Sequence, residues 1–388
     1  MAEKKILCIY ATRQIDSNLF MSSTKFNGLK QCGYTVDMLF CGPDKICYQF
    51  NELYGHFFRR IVYINVKESA FSRALKAYDK GKILYTYYRE FIMDFLYPPF
   101  ELEKLGDKLE KEYDIVLSFV PIALGGILAY KVRNRLFPDA KLIQYWTDPI
   151  SMGRCDSISE IPRIRFLHKR VERQLLGMAD KVVFCWPLFC KSMQQYYPNY
   201  SSIMTWSDTA YISHEKANYK PNNKKITIGL FGAYQQRVRN ILPYLDSLDS
   251  FPDVQFVIRG DSDFKIDSTR YENLDIKEGR VPVKEVEELE ANCDILVCLA
   301  GKSGLTIPAG KVFYYADYNK PILYISDGVN SEYTSSYLNE FKRFVTCDNN
   351  KQSIIKGLEC CISQLPGYQV KIPARLEPSF IARKLIEE

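Results

Sequence analysis

The sequence predicts an α/β protein built from two doubly wound, Rossmann-like halves. Short apolar runs of strand length alternate with segments of helical pattern along the chain, which is the signature of parallel sheets covered by helices. The alternation breaks once, over 211–223, a polar stretch without a period that ends in Pro221-Asn222-Asn223-Lys224-Lys225, and a βα series then starts afresh. With 388 residues, each half is long enough to bury its own core. The expected division is an N-terminal domain over 1–215, a C-terminal domain over 222–370 and a closing helix over 376–388.

Ile6 to Tyr10 reads as the first strand, Phe26 to Cys32 as helix, and Gly33-Tyr34 as a turn into a strand ending at Phe40. The loop from Ala11 to Asn18 lacks Gly-x-Gly-x-x-Gly, which counts against a nicotinamide enzyme. Ile61 to Val66 is a further strand. Ser69 to Phe95 has a helical pattern crowded with Tyr and Phe, expected as an aromatic core face. Asp114 to Phe119 and Ala140 to Tyr145 are buried strands, and loops after such strands line the ligand crevice of a doubly wound sheet. Ser118 and Asp148 are therefore the polar candidates there. Pro149 holds Asp148 extended, so its carboxylate serves either a turn or a reacting group. Ile161 to Leu176 is the most basic helix of the chain; Ala179 to Cys185 is a strand and Pro187 to Tyr197 a helix.

The second series runs through strands at Ile226–Phe231, Val254–Ile258, Leu274–Lys277, Ile295–Leu299, Ile322–Ile325 and Phe344–Thr346. Helical patterns separate them, the last over Gln352–Gln364, and Pro378 to Glu388 closes the chain as an amphipathic helix. Between Leu299 and Ile322 lies a loop with Gly301, Gly304, Pro308 and Gly310, after which Lys311 opens a short helix stopped by Asn319-Lys320-Pro321. Glycines and a helix start admit an anion, so this stretch reads as a phosphate site. It is not a Walker loop: that motif puts four residues between its first Gly and Gly-Lys-Ser/Thr, and here Gly304 to Gly310-Lys311 spans five and ends in Val312.

Charge separates the halves. Residues 1–220 carry 31 Lys and Arg against 23 Asp and Glu, whereas 221–388 carry 21 against 23, so the basic excess sits in the first half. Such a surface suits an anionic partner, here an anionic membrane surface or a pyrophosphate-linked acceptor; the basic residues lack a recognisable nucleic-acid module, so no nucleic acid is expected. The twelve cysteines lie within apolar strands, such as Cys8, Cys185 and Cys298, or in surface-like segments, such as Cys41 and Cys155, with no Cys-x-x-Cys, and the three histidines are isolated, which predicts reduced core thiols and no metal site. No apolar run approaches the roughly 20 residues of a membrane span, and Ile6 to Tyr10 is too short for a signal-peptide core. A cytoplasmic protein, peripheral on the inner face of the membrane, is expected.

The second half carries Ile228-Gly-Leu-Phe-Gly232 followed by Arg237 and Arg239, Phe256-Val-Ile-Arg-Gly260, Glu278-Gly-Arg-Val-Pro282, Cys293-Asp294-Ile-Leu-Val and Ile307-Pro-Ala-Gly-Lys311-Val-Phe-x-Tyr315 running to Lys320-Pro321-Ile-Leu323. Together with Tyr113-Asp-Ile-Val, Leu142-Ile-Gln-Tyr-Trp-Thr-Asp148-Pro149 and Ala179-Asp-Lys-Val-Val183 in the first half, these pieces resemble GT-B glycosyltransferases, particularly the family 4 type of bacterial surface-polysaccharide enzymes. The likeness spans most of the chain in order.

That resemblance implies a GT-B fold, two Rossmann-like domains facing a central cleft with the last helix crossing back to the first domain. It implies a retaining transfer of sugar from a nucleotide-diphosphate donor to a glycan or lipid-linked glycan, with no cofactor and no metal. Arg237, Arg239 and Lys311, with Gly232 and Gly310, would hold the donor diphosphate; Tyr314, Arg259 and Val281 would meet the ribose and base; Asp148 and Ser118 would act at the reacting sugar or acceptor. Two places depart from the pattern. Tyr314 stands where the family has an acid that grips two ribose hydroxyls, and Lys302-Ser303-Gly304 replaces a Glu-rich loop. A non-catalytic binding subunit and a nucleotide-sugar epimerase are the alternative readings.

Overall fold

In the computed structural model, residues 4–12, 15, 17–65, 102–120, 123–148, 150, 162–214, 217–218, 220, 225–234, 238–279, 281–301 and 310–388 are described. The helix expected over Ser69–Phe95, Arg237 and the loop over 302–309 lie outside them. The chain forms two compact units, Met1–Thr209 with Pro378–Glu388, and Ala210–Glu377.

The first unit runs β1 (Lys5–Ala11), α1 (Ser17–Gln31), β2 (Thr35–Gly42), α2 (Asp44–Tyr54), β3 (Arg60–Asn65), α3 (Glu103–Gly106), β4 (Ile115–Phe119), α4 (Ala123–Leu136), β5 (Lys141–Trp146), α5 (Pro162–Met178), β6 (Lys181–Phe184), α6 (Pro187–Tyr196) and β7 (Met204–Trp206). Among the described residues its strands form one parallel sheet of seven in the order β3-β2-β1-β4-β5-β6-β7. Strands covered on both faces read as near-continuous apolar runs, and β4 is buried at every position, Ser118 included. One core, with Tyr10, Phe26, Phe40, Phe50 and Phe119, lies on the α1 face; the other, with Leu7, Val116, Leu128 and Val132, lies under α4.

Three elements exceed the sequence reading, α2, the four-residue α3 and β7. The sequence carried a signal for α2, since Pro43 precedes it, Asp44 sits in its first turn and Cys47, Phe50 and Tyr54 fall on one face. β7 is only three residues long, too short for alternation to register.

The closing helix, α12 (Pro378–Glu387), packs on α1. Gly28 makes the approach possible: a Cβ there would lie 2.1 Å from the carbonyl oxygen of Pro378. Ala382, Leu385 and Ile386 enter the first unit's core, Tyr34 Oη donates to Glu387 at 2.6 Å, and Lys181 Nζ donates to the Leu385 carbonyl at 2.9 Å.

The second unit runs β8 (Thr227–Phe231), α7 (Leu242–Ser247), β9 (Gln255–Gly260), β10 (Leu274–Glu278), α8 (Val283–Asn292), β11 (Ile295–Leu299), α9 (Gly310–Tyr314), β12 (Ile322–Ser326), α10 (Ser331–Glu340), β13 (Val345–Asp348) and α11 (Lys351–Gln364). Among the described residues its strands form a parallel sheet of six in the order β10-β9-β8-β11-β12-β13. Buried cations close its helix ends. Lys320 Nζ donates to the carbonyls of Glu290, Ala291 and Cys293 where α8 stops, and Arg343 donates to those of Ala316 and Tyr318 in the turn after α9. Among the described residues no helix is long and apolar enough to cross a membrane.

Candidate functional site

In the second unit the strand order reverses between β8 and β11, so the crevice beyond their C-terminal ends is where an open α/β sheet receives a ligand. Gly232 leaves β8 with φ +127°, a conformation L side chains rarely adopt. Its N–H donates to the Arg259 carbonyl at 2.9 Å, and a Cβ on Gly260 would lie 1.9 Å from its oxygen. The loops after β8 and β9 are thus in backbone contact, and only glycine permits it.

Two of the expected cations stand beside the C-terminal end of β8. Arg239 is half-buried, with Nη1 donating to the Ala233 carbonyl at 3.2 Å and Nε without an acceptor among the described residues; burial lowers its pKa. Lys311, next to Gly310 at the start of α9, keeps a side chain 36% exposed and lies 5.7 Å from the centroid of the Phe231 ring at the end of β8. The Cys298 thiol in β11 feels both charges, although its burial dominates and raises its pKa. Lys311 is not free, however. Its Nζ donates to Glu290 Oε1 at 2.6 Å and contacts Tyr315 Oη at 3.2 Å, while Tyr315 Oη donates to the same Glu290 oxygen at 2.7 Å. Glu290 is wholly buried.

Tyr314 is 5% exposed. Its ring stands edge-on to His214, with centroids 4.1 Å apart, and its hydroxyl reaches Glu287 Oε1 at 3.5 Å. Burial first, then the neighbouring Glu290 charge, pushes its pKa far up, so it is a neutral phenol. His214 is fixed in turn by Asp317, which accepts its backbone N–H at 2.8 Å and lies 2.7 Å from Nδ1. A carboxylate is close by: Glu287, half-exposed on α8, stands beside the phenol.

Arg259 is drawn into the sheet, donating to the carbonyls of Ile258 and Asp275, each at 2.9 Å, and to Asp275 Oδ2 at 2.7 Å. Val281, half-exposed, follows β10. In the first unit Ser118 lies within β4, fully buried, its Oγ without a partner among the described residues. Asp148 is exposed just beyond the C-terminal end of β5. Its charge bears on Tyr145 and Cys185, whose burial raises both pKa values.

Sequence reasoning missed Lys25 and Glu290. Lys25 is wholly buried on α1, donates to the Met21 carbonyl at 3.3 Å and lies 4.8 Å from the Tyr145 ring centroid; burial lowers its pKa to about 8. Glu290 left only a slight trace in the sequence, one helical turn after the apolar Val286 on α8.

No family model matches the chain, and no curated protein matches it. Among solved structures it is similar to the catalytic domain of starch synthase IV from Arabidopsis thaliana, with a TM-score of 0.58 and 8% identity over 100% of this chain and 96% of that one. It is also similar to a UDP-N-acetylglucosamine 2-epimerase, with a TM-score of 0.51 and 10% identity over 100% and 95% of the two chains. A glycosyltransferase from Rickettsia africae ESF-5 gives a TM-score of 0.51 and 14% identity over 99% and 93%. With the two parallel sheets, these likenesses establish an α/β GT-B fold of two Rossmann-like domains.

Proposed function

We propose that the protein is a glycosyltransferase of hexosyltransferase type, moving a sugar from a nucleotide-diphosphate donor to a glycan or lipid-linked glycan. The observation that carries this reading is that Arg239 and Lys311 both stand beside the C-terminal end of β8 at the reversal point of the second sheet, Arg239 Nη1 on the Ala233 carbonyl at 3.2 Å and Lys311 Nζ 5.7 Å from the Phe231 ring centroid. A departing nucleoside diphosphate gains negative charge as the glycosidic bond lengthens, and fixed cations at that place stabilise it. Arginine offers a planar fork to phosphate oxygens and lysine a compact charge, so the pair does without a metal what Mg²⁺ does elsewhere. Arg237, two positions before Arg239 in the sequence, is assigned to the same diphosphate, and Gly232 and Gly310 let the phosphates approach.

Tyr314, Arg259 and Val281 form the ribose and base side of the donor site in this reading. Asp148 is the polar group at the acceptor or reacting sugar, with Ser118 behind it. The transfer is retaining and belongs to surface-polysaccharide synthesis. The named activities of the similar structures, a starch synthase and a glycosyltransferase among them, support the class of reaction.

The partners follow from α5. Arg165, Phe166, Arg170 and Arg173 are exposed on it, Phe166 to 65%, and Lys169 Nζ lies 4.7 Å from the centroid of the exposed Tyr196 ring. A basic face with aromatic side chains among the cations suits the headgroup region of an anionic bilayer, where a lipid-linked acceptor resides. The protein is thus a cytoplasmic enzyme peripheral on the inner membrane face.

The test is a thermal-shift screen with UDP, GDP, ADP and CMP, followed by donor hydrolysis. At a hundredfold excess over Kd, a ligand of the folded state adds about 2.7 kcal/mol, a shift of several degrees. No shift with any nucleotide sinks the transferase; a shift without turnover leaves a binding subunit. Lys311→Ala should abolish nucleotide binding. It also strips Glu290 of its charge partner, which costs about 2 kcal/mol after allowance for the exposure of Lys311, so binding is measured on the folded variant.

A further inference from the structure

Glu290 is a carboxylate with no exposed surface, buried in the last turn of α8. Burying such a charge is costly unless it is paired. Its Oε1 takes two bonds, from Lys311 Nζ at 2.6 Å and Tyr315 Oη at 2.7 Å, while Oε2 has no hydrogen-bond partner among the described residues. On the other side, Lys311 Nζ spends two of its three N–H groups among the described residues and keeps a side chain 36% exposed, beside the ring of Phe231 at the end of β8. The pair therefore has a buried anionic end and a cationic end facing the crevice. Tyr315, wholly buried, is shared between them.

We propose that Glu290 is the built-in counter-ion of the anion site: it fixes Lys311 in place and offsets part of its charge, so that a diphosphate is held weakly enough to leave after the reaction. This rests on the reading of Lys311 as a diphosphate ligand. Arg239 and Lys311 alone would present two positive charges to the anion, and an enzyme that stabilises a leaving group too well is limited by its release. Glu290 lowers that sum by one charge without reaching the ligand. Tyr315 tunes the balance, because its hydroxyl stabilises the carboxylate and draws part of its charge away from Lys311.

The experiment measures binding of inorganic pyrophosphate, and of the nucleoside diphosphate that gives the largest thermal shift, to the full chain by calorimetry, with release followed by stopped flow. Glu290→Gln keeps an acceptor for both donors and removes the charge; its Kd is expected to fall roughly tenfold, through slower release, as Coulomb's law gives for a unit charge lost near an anion in a partly screened site. Tyr315→Phe keeps the charge and removes the bond that shares it, and its Kd is expected to rise a few-fold. A merely structural Glu290 would move both variants the same way, by loosening Lys311. Equal signs, or no change in either variant, overturn the counter-ion. If the wild type binds neither pyrophosphate nor any nucleoside diphosphate, the donor reading itself falls and this inference with it; binding without the opposed shifts removes the inference alone.

Discussion

Position 314 shows how one residue depends on its neighbours. The resemblance drawn from the sequence puts an acid there, but a Tyr314→Glu change would not simply supply one, because Glu287 lies 3.5 Å from the phenol oxygen and the Glu290 charge already bears on it. A third carboxylate at a position 5% exposed would meet burial and like charge together, both of which raise its pKa. The folded state would then hold a proton that the unfolded state has lost, and stability falls as pH rises through the window from an ordinary glutamate pKa of about 4.3 to the raised value. Tyr314→Glu should therefore unfold at lower denaturant at pH 7.5 than at pH 5, relative to the wild type. Adding Glu287→Gln should recover most of the loss. A pH-independent deficit would point to packing against His214 instead. The sequence revealed that Tyr314 departs from the pattern, but Glu287 is 27 residues away in the chain, and only the fold brings it close.

At the scale of elements, strands were the most legible, because parallel strands buried on both faces read as apolar runs such as Ile295–Leu299 and Ile322–Ile325. Helix ends were not, since the groups that close them come from distant segments. Lys320 closes α8 from across the unit, and burial lowers its pKa to about 8 from the ordinary 10.5. Between those values the unfolded chain binds more protons than the folded one, so this lysine's cost is relieved as pH rises from 8 to 10.5. Lys320→Met leaves the last carbonyls of α8 without donors and should cost about 2–4 kcal/mol near neutral pH. Because the variant lacks the titration, its deficit against the wild type should widen between pH 8 and 10 in urea unfolding followed by circular dichroism. A deficit that narrows over that range would mean that the lysine is held charged throughout.

For the whole molecule, the sequence puts a polar stretch without a period at 211–223, and the charge asymmetry was legible because counting needs no fold. The contact units divide the chain at Ala210, and the reason is local: Tyr211 N–H donates to the Leu376 carbonyl at 3.0 Å and Asp317 holds His214, so these residues join the second unit by hydrogen bonds that no composition pattern records. This organisation separates the two ligands. The proposed donor diphosphate meets Arg239 and Lys311, both in the second unit, whereas the basic face of α5 and Asp148 belong to the first. Hydrogen exchange of the full chain with saturating nucleotide should protect β8 to Arg239, β11 and α9, with local opening suppressed by up to about a hundredfold at a hundredfold excess over Kd. Anionic vesicles should instead protect α5 and α6, and added salt should abolish that protection because the interaction is screened over about 10 Å at 0.1 M. Nucleotide protection centred on α5 would reverse the assignment of the two units, and vesicle protection that survives high salt would remove the electrostatic account of the basic face.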